Sequence, residues 1–182
     1  MRGNGRGRRV LGTIAAMAIL ASMAGLGAAS GATHAAATII DASGVTVGWA
    51  RITEDATGRL HVNVQVDGLT EGRHGIHLHA VGSCVPPSFT SAGGHHNPFG
   101  AQHGLENPDG PHAGDLPNLE VNVAGHGRLQ ATTDGATLAH GPAALMDANG
   151  SALIIHAALD DQVTDPTGNS GGRIACGVIV AD

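Results

Sequence analysis

Two histidines, His77 and His79, form a His-x-His pair in the apolar segment 75–79 (GIHLH). Residues i and i+2 of an extended strand point to the same face, so both imidazoles of this pair would face one ligand. Imidazole nitrogen is the commonest side-chain ligand of transition metals. The pair therefore predicts a metal site, although an isolated His-x-His is weak evidence and also occurs on ordinary protein surfaces.

Further residues of the same ligand types follow along the chain. They are His95, His103, His112, Asp115 and His156. Cu(II) favours four imidazole nitrogens in a plane, whereas Zn(II) accepts a tetrahedron of imidazole and carboxylate ligands. With the first pair, the set falls one ligand short of two four-coordinate ions, so two ions would have to share an imidazole. The residue types thus predict one or two transition-metal ions.

Short runs of β-branched and alternating apolar residues predict the strands that position these ligands. Turn signals rich in Gly, Asp and Asn separate the runs, and no convincing amphipathic helix is found. Because the chain has one Trp, two Phe and no Tyr, Val, Ile, Leu and Ala must fill the core. This composition favours an all-β sandwich. The predicted strands are 38–41, 45–53, 59–66, 75–79, 119–123, 128–132, 152–156 and 174–180.

Two segments without apolar periodicity, 81–118 and 159–173, predict long loops. The first is rich in Gly, Pro, His and Asn, and it is far longer than an ordinary connection in a compact domain. Metal bonds or a disulfide can order backbone that has no hydrophobic face. We therefore expect both loops to be functional and to lie near the metals.

The start of the chain predicts a secretory signal peptide over residues 1–35, followed by one domain over 36–182. Four Arg precede an apolar run, and small residues then offer several cleavage sites. A membrane anchor is the alternative, which the small-residue flank disfavours. We therefore expect an exported protein that is periplasmic, cell-wall associated or secreted, with no stable membrane insertion of the mature chain.

The predicted mature chain has a strongly negative net charge, which limits the kinds of partner it can bind. Without the leader it has five Arg, no Lys and fifteen acidic residues, a formal charge of −10. Nucleic acid is therefore not expected as a partner. The only cysteines, Cys84 and Cys176, predict a disulfide in an oxidising compartment, and two free buried thiols are the alternative.

Several motifs together resemble the copper/zinc superoxide dismutase family, in its secreted bacterial form. The similarity covers essentially the whole predicted mature chain, and its motifs are long and occur in a consistent order. They are 75–79 (GIHLH), 91–98 (SAGGHHNP), 103–104 (HG), 111–116 (PHAGDL), His156 and 167–178 (TGNSGGRIACGV).

The resemblance implies a Greek-key β-barrel or flattened β-sandwich of about eight antiparallel strands with two long functional loops. It implies that copper and zinc are cofactors and that superoxide is dismutated to dioxygen and hydrogen peroxide, as antioxidant defence outside the cytoplasm. The alternative is a non-enzymatic copper carrier or metal buffer on the same fold. The family allows a homodimer as well as a monomer.

The family's functional residues can be matched to positions in this sequence. The implied copper ligands are His77, His79, His95 and His156. The implied zinc ligands are His95, His103, His112 and Asp115. Arg173 corresponds to the arginine that guides the substrate anion, and His95, as the bridging imidazolate, to a proton donor. Asp160 corresponds to a carboxylate that links a copper histidine to a zinc histidine. Thr167 corresponds to a residue that narrows the substrate channel, and Cys84 and Cys176 match the cysteines of the family's disulfide.

Other histidines and acids have plainer interpretations. His96 stands where the family usually has Phe. We interpret it as a replaced ring, and the alternative is a hydrogen-bond donor to the ligand residues. We expect surface positions for His61, His74, His126 and His140. We interpret Asp109, Asp161 and Asp165 as loop acids that bond to nearby backbone.

Overall fold

The computed structural model describes residues 1–3 and 33–182. Most of the predicted leader, residues 4–32, lies outside the described residues. Within the described ranges, no helix combines the length and the apolar character needed to cross a bilayer.

Nine antiparallel strands make up one sheet over residues 33–182. All eight predicted strands are present, which confirms the all-β fold class. One short 3₁₀ turn, Thr90–Ala92, is the only helical element in this part of the chain. The strands are β1 (His34–Asp41), β2 (Thr46–Glu54), β3 (Leu60–Val66), β4 (Gly72–His74), β5 (Ile76–His79), β6 (Leu119–Val121), β7 (Gly127–Thr133), β8 (Ser151–His156) and β9 (Arg173–Ala181).

The sheet is a nearly closed barrel. Its strand order is β4-β6-β7-β3-β2-β1-β9-β8-β5. The two edge strands, β4 and β5, are consecutive in the chain and are separated only by Gly75, so the edges come together. The connection from β3 to β4 passes over β7 and β6, which is the long step expected of a Greek key.

Alternating apolar side chains fill the inside of the barrel. On β3, Leu60, Val62, Val64 and Val66 are all fully buried, whereas the residues between them are partly exposed. Neighbouring strands supply matching positions, since Ile52 pairs with Val62 and Leu129 with Val64. The predicted two-residue period is therefore the period that builds the core. The two Phe take no part in it: Phe89 packs in a smaller cluster near the disulfide, and Phe99 is exposed.

The prediction for His74 is wrong. This residue ends the short strand β4, which the sequence did not reveal, and its side chain is buried. Its Nδ1 lies 2.8 Å from the carbonyl oxygen of His156, and its Nε2 lies 2.9 Å from that of Thr70. The ring thus joins the end of β4 to the end of β8.

Three long connections join strands of the barrel. The segments 80–118 and 157–172 correspond to the two predicted loops. A third connection, 134–150, was not predicted, and it adds Leu138 and Leu145 to the core. Glu54 Oε2 anchors this connection by accepting a hydrogen bond of 2.8 Å from the Leu138 N–H.

A disulfide joins Cys84 to Cys176 and so ties the first long loop to β9. The prediction from sequence is confirmed, and two free thiols are ruled out because no cysteine is free. The bond spans 92 residues. Closing a loop of that size removes much conformational freedom from the unfolded chain.

Replacing both cysteines, Cys84→Ala with Cys176→Ala, is expected to lower the free energy of unfolding by about 2–5 kcal/mol. Denaturant unfolding of the metal-free protein at neutral pH measures this change. Dithiothreitol should destabilise the wild-type chain by a similar amount and leave the double variant unaffected. Equal stability of the two chains under oxidising conditions would contradict the expectation.

Candidate metal centre

Strand pairing brings the first ligand candidates together. His77 and His79 lie on β5, which pairs with β8, and His156 is the last residue of β8. All three side chains are buried. The loop 80–118 folds back onto β5 through two isolated bridges, His79 with His95 and His77 with Asp115.

Four imidazoles converge without any hydrogen bond between their facing nitrogens. His77 Nδ1 and the Nε2 atoms of His79, His95 and His156 are buried, and none has a hydrogen-bond partner among the described residues. One ligand atom of each residue lies within 4.8 Å of the others. Buried polar atoms are rarely left unpaired, because desolvation costs free energy. Four facing, unpaired imidazole nitrogens are the donor set that Cu(II) prefers.

The opposite ring nitrogens of this group are occupied. His77 Nε2 donates to Asp160 Oδ2 at 2.6 Å. His79 Nδ1 lies 3.0 Å from the Gly93 carbonyl oxygen, and His156 Nδ1 lies 3.1 Å from the carbonyl oxygen of Gly171. These acceptors require N–H on the outer side of each ring, which leaves the inward nitrogen with a free lone pair.

A second group surrounds the carboxylate of Asp115. The Nδ1 atoms of His95, His103 and His112 lie 3.1, 3.0 and 3.3 Å from Asp115 Oδ1. Asp115 Oδ2 accepts hydrogen bonds of 2.9 Å from the backbone N–H groups of Gly104 and His112. Three imidazole nitrogens and one carboxylate oxygen suit zinc.

His95 belongs to both groups, because its Nε2 faces the first and its Nδ1 the second. His77 also has a ligand atom within 4.8 Å of the second group. However, Asp160 occupies its Nε2, and its Nδ1 belongs to the first group. His112 is therefore the better fourth member of the second group.

A cleft of about 490 Å³ opens beside the first group. Arg173 lines the cleft and is held there by two carbonyl oxygens, that of Phe89 at 2.6 Å from Nη1 and that of Gly93 at 2.5 Å from Nη2. Phe89 adopts a left-handed backbone conformation, with φ 53°, and its side chain is fully buried. Other residues lining the cleft include His79, His95, His112, His156 and Thr167.

The model of the copper/zinc superoxide dismutase family (SODC) matches residues 46–179. The chain belongs to the copper/zinc superoxide dismutase family. "Superoxide dismutase [Cu-Zn] 2" of Aquifex aeolicus is 43% identical over 145 residues, covering 79% of this chain and 84% of the relative. The relative named "Superoxide dismutase [Cu-Zn]" of Caulobacter vibrioides is 40% identical over 148 residues, covering 80% and 84%.

Solved structures support the same family and fold. A superoxide dismutase-like protein from Bacillus subtilis is 38% identical with a TM-score of 0.76, and the match covers 83% of this chain and 100% of that one. The copper/zinc superoxide dismutase of Brucella abortus is 31% identical with a TM-score of 0.66, covering 80% and 98%. The resemblance inferred from the sequence motifs is therefore confirmed.

The structure of this family member brings together every site residue named from the sequence. His77, His79, His95 and His156 form the first group, and His95, His103, His112 and Asp115 form the second. Arg173 and Thr167 line the cleft, and Asp160 contacts both groups. His96 is buried beside His95 and belongs to neither group, and its Nε2 has no hydrogen-bond partner among the described residues.

Asp160 connects the two groups. Its Oδ2 lies 2.6 Å from His77 Nε2, and its Oδ1 lies 3.0 Å from His103 Nε2. Asn118 clamps the main chain of Asp160 with two reciprocal hydrogen bonds of 2.9 Å. Sequence reasoning missed Asn118, because it lies 42 residues from Asp160 and no local pattern marks it.

Burial keeps the nitrogens of the first group neutral. Desolvation lowers the pKa of His79 to about 2, that of His95 to about 4 and that of His156 to about 3. Burial also lowers the pKa of His77, although Asp160 acts in the opposite direction. The lone pairs of these rings are therefore available at neutral pH.

The second group holds a proton that a metal would replace. Burial lowers the pKa of His103, but the contacts with Asp115 and Asp160 outweigh it and raise the pKa to about 9. Burial alone would raise the pKa of the Asp115 and Asp160 carboxyl groups. Hydrogen bonds from the histidines outweigh burial and lower both pKa values below the usual range. In the metal-free protein His103 is thus an imidazolium between two carboxylates.

Zinc affinity of the metal-free protein is expected to rise by about tenfold per pH unit between pH 7 and pH 9, because one proton must leave His103 Nδ1. Because the pKa of His103 is raised to about 9, its ring is protonated below that pH, and the proton competes with zinc for the ring nitrogen. Chelator competition at pH 7, 8 and 9, with calorimetry in two buffers to count released protons, measures the effect. Copper affinity should change much less over this window, since the pKa values of His79, His95 and His156 lie far below it. Zinc affinity independent of pH, without proton release, would contradict the expectation.

Proposed function

We propose that this chain dismutates superoxide to dioxygen and hydrogen peroxide, with copper and zinc as cofactors. The observation that carries the proposal is a set of four unpaired imidazole nitrogens next to a cleft that Arg173 and three of the four histidines, His79, His95 and His156, line. Its relatives from Aquifex aeolicus, Caulobacter vibrioides and Brucella abortus are named as copper/zinc superoxide dismutases. An enzyme is thus better supported than a copper carrier or metal buffer.

We propose that the first group holds copper and the second holds zinc. The copper ligands would be His77, His79, His95 and His156, and the zinc ligands His95, His103, His112 and Asp115. The all-imidazole donor set supports copper for the first group, and the carboxylate supports zinc for the second. Bound copper supplies one-electron redox chemistry, which zinc lacks.

Arg173 would attract and orient the anion. Its guanidinium donates to the carbonyls of Phe89 and Gly93, so the charge is fixed at the cleft wall before an anion arrives. Because the mature chain is acidic overall, its net charge would repel the anion. Attraction must therefore come from the local field of the Arg173 guanidinium in the cleft. Thr167 lines the same cleft and would limit its width.

His95 would hold and deliver a proton. It is the imidazole with one nitrogen in each group, and it lines the cleft. When its Nε2 is free of metal, this atom can carry a proton while Nδ1 stays with the second group. Formation of hydrogen peroxide from superoxide consumes two protons, and His95 Nε2 can supply one of them beside the bound anion.

The experiment that tests the activity uses mature protein loaded with both metals, with the disulfide intact. Its rate of superoxide decay, followed by pulse radiolysis with EDTA present to suppress free copper, should far exceed that of the metal-free protein under the same conditions. A metal carrier would bind both ions and show no excess activity. That outcome would overturn the enzyme proposal.

Arg173→Ile is expected to lower kcat/KM for superoxide by about tenfold or more and to weaken its dependence on ionic strength, because a local steering charge is lost. Arg128→Ile removes the same charge from β7, outside the cleft, and serves as the matched control. Copper and zinc contents should be unchanged in both variants. If both variants lose the same activity, net charge and not Arg173 guides the anion.

We further propose that residues 1–35 contain a cleaved leader and that the mature chain acts in the periplasm, the cell wall or the medium. The boundary at residue 36 lies inside β1, which begins at His34 and buries Ala35. Cleavage after Ala32 would keep β1 whole, and Ser30 and Ala32 supply small residues at the −3 and −1 positions.

Intact mass and N-terminal sequencing of exported protein are expected to give a chain that starts at Thr33. Thermal unfolding should show that a chain starting at Ala36 is less stable, since two residues of β1 and their pairing with β2 are lost. Exported protein that still begins with Met1 would overturn the leader.

A further inference from the structure

Most histidines of the two groups have a hydrogen-bond partner at the ring nitrogen that faces away from the group. A histidine that binds metal through one nitrogen usually donates the other N–H to a carboxylate, a carbonyl or water. Asp160 accepts from His77 and His103, and backbone carbonyls accept from His79 and His156. Both nitrogens of His95 face ligand groups. Only His112 remains to be explained.

Asp165 faces this remaining nitrogen. Its Oδ1 lies 3.8 Å from His112 Nε2, and the ring of His112 is only 6% exposed. The same Oδ1 accepts a hydrogen bond of 2.7 Å from the backbone N–H of His103. One carboxylate oxygen therefore contacts two members of the second group, although it lies 62 residues from His103 in sequence.

The interpretation of Asp165 as an acid that bonds to nearby backbone in its own loop therefore needs correction. Its neighbour Asp161 fits that interpretation, because it accepts hydrogen bonds from the N–H groups of Val163 and Thr164. Asp165 instead reaches across to the loop 80–118. Its side chain is 46% exposed, so the carboxylate lies at the edge of the centre rather than inside it.

We propose that Asp165 is a positioning residue of the second group, which orients the His112 ring through Nε2 and fixes His103 through its backbone. The proposal rests on the assignment of this group to zinc. The proposal requires the separation of 3.8 Å to shorten to about 3 Å, so that His112 Nε2–H donates a hydrogen bond to the carboxylate. The ring is then held with Nδ1 toward Asp115.

The arrangement gives the centre two carboxylates outside the ligand set, with separate tasks. Asp160 links the first group to the second and is buried, whereas Asp165 serves the second group alone and is partly exposed. Removal of Asp165 should consequently affect zinc and spare copper. Loss of an outer partner of this kind typically lowers metal affinity by about 10–100-fold.

Three variants test the proposal. Asp165→Ala removes both contacts, and Asp165→Asn keeps an oxygen acceptor while removing the charge. Asp109→Ala is the matched control, since Asp109 is an exposed acid in the loop 80–118 whose side chain makes no hydrogen bond within residues 33–182. Zinc and copper affinities are measured by chelator competition, and circular dichroism checks the fold of each metal-free variant.

We expect Asp165→Ala to bind zinc about 10–100-fold more weakly than Asp109→Ala, with Asp165→Asn in between and copper affinity equal in all three. NMR of the zinc-loaded, ¹⁵N-histidine-labelled protein provides a second readout. The His112 Nε2–H proton should be protected from solvent exchange in wild type and in Asp165→Asn, and it should exchange rapidly in Asp165→Ala.

Equal zinc affinity of Asp165→Ala and Asp109→Ala would overturn the proposal. Weaker zinc binding with an unchanged His112 Nε2–H signal would also overturn it, because Asp165 would then act only on the backbone of His103. Failure of the wild-type chain to bind zinc would instead refute the zinc assignment itself. If Asp165→Ala does not fold, Asp165→Asn is compared with wild type by zinc affinity and by NMR. The proposal is then overturned if the His112 Nε2–H proton exchanges rapidly with solvent in both chains and has the same chemical shift in both.

Discussion

The hydrogen bonds of one buried carboxylate, Asp160, hold the centre together. Its two oxygens contact His77 on β5 and His103 in the loop 80–118, so a strand of the barrel and an irregular loop share one acceptor. Asn118 fixes the main chain of Asp160, and the backbone N–H of Gln162 donates to Oδ1 at 2.7 Å. An uncompensated buried charge would be costly, and these donors compensate it. The position of each ligand group consequently depends on the other.

The barrel and the loops contribute to the centre in different ways. Strands β5 and β8 place three histidines by ordinary pairing on an aliphatic core, so part of the first group is set by the barrel itself. The loop 80–118 has no comparable apolar face. It is fixed by the disulfide, by two backbone bridges to β5 and by the carboxylates Asp115 and Asp160. Polar contacts and a covalent bond thus hold most of this loop, together with the small apolar cluster around Phe89.

Sequence reasoning could predict the features that are local or periodic. Eight of the nine strands follow from runs of β-branched or alternating apolar residues, and the ligands follow from residue types in motifs that resemble a known family. β4 was missed because its three residues, Gly72–His74, include no β-branched or other apolar side chain. The burial of His74, the clamp of Asn118 and the reach of Asp165 were missed because each depends on contacts over 42 or more residues, for which a single sequence carries no local signal.

The position of Arg173 links the electrostatics of the cleft to the disulfide. The guanidinium is held by carbonyls of Phe89 and Gly93, both in the segment that the Cys84–Cys176 bond ties to β9. Phe89 packs in the same small cluster as Cys84 and Cys176, and its left-handed backbone turns its carbonyl toward the arginine. Gly93 also accepts from His79. A single loop therefore positions the cation and one imidazole of the first group together, so the charge that draws the anion and the site that receives it are fixed by the same backbone.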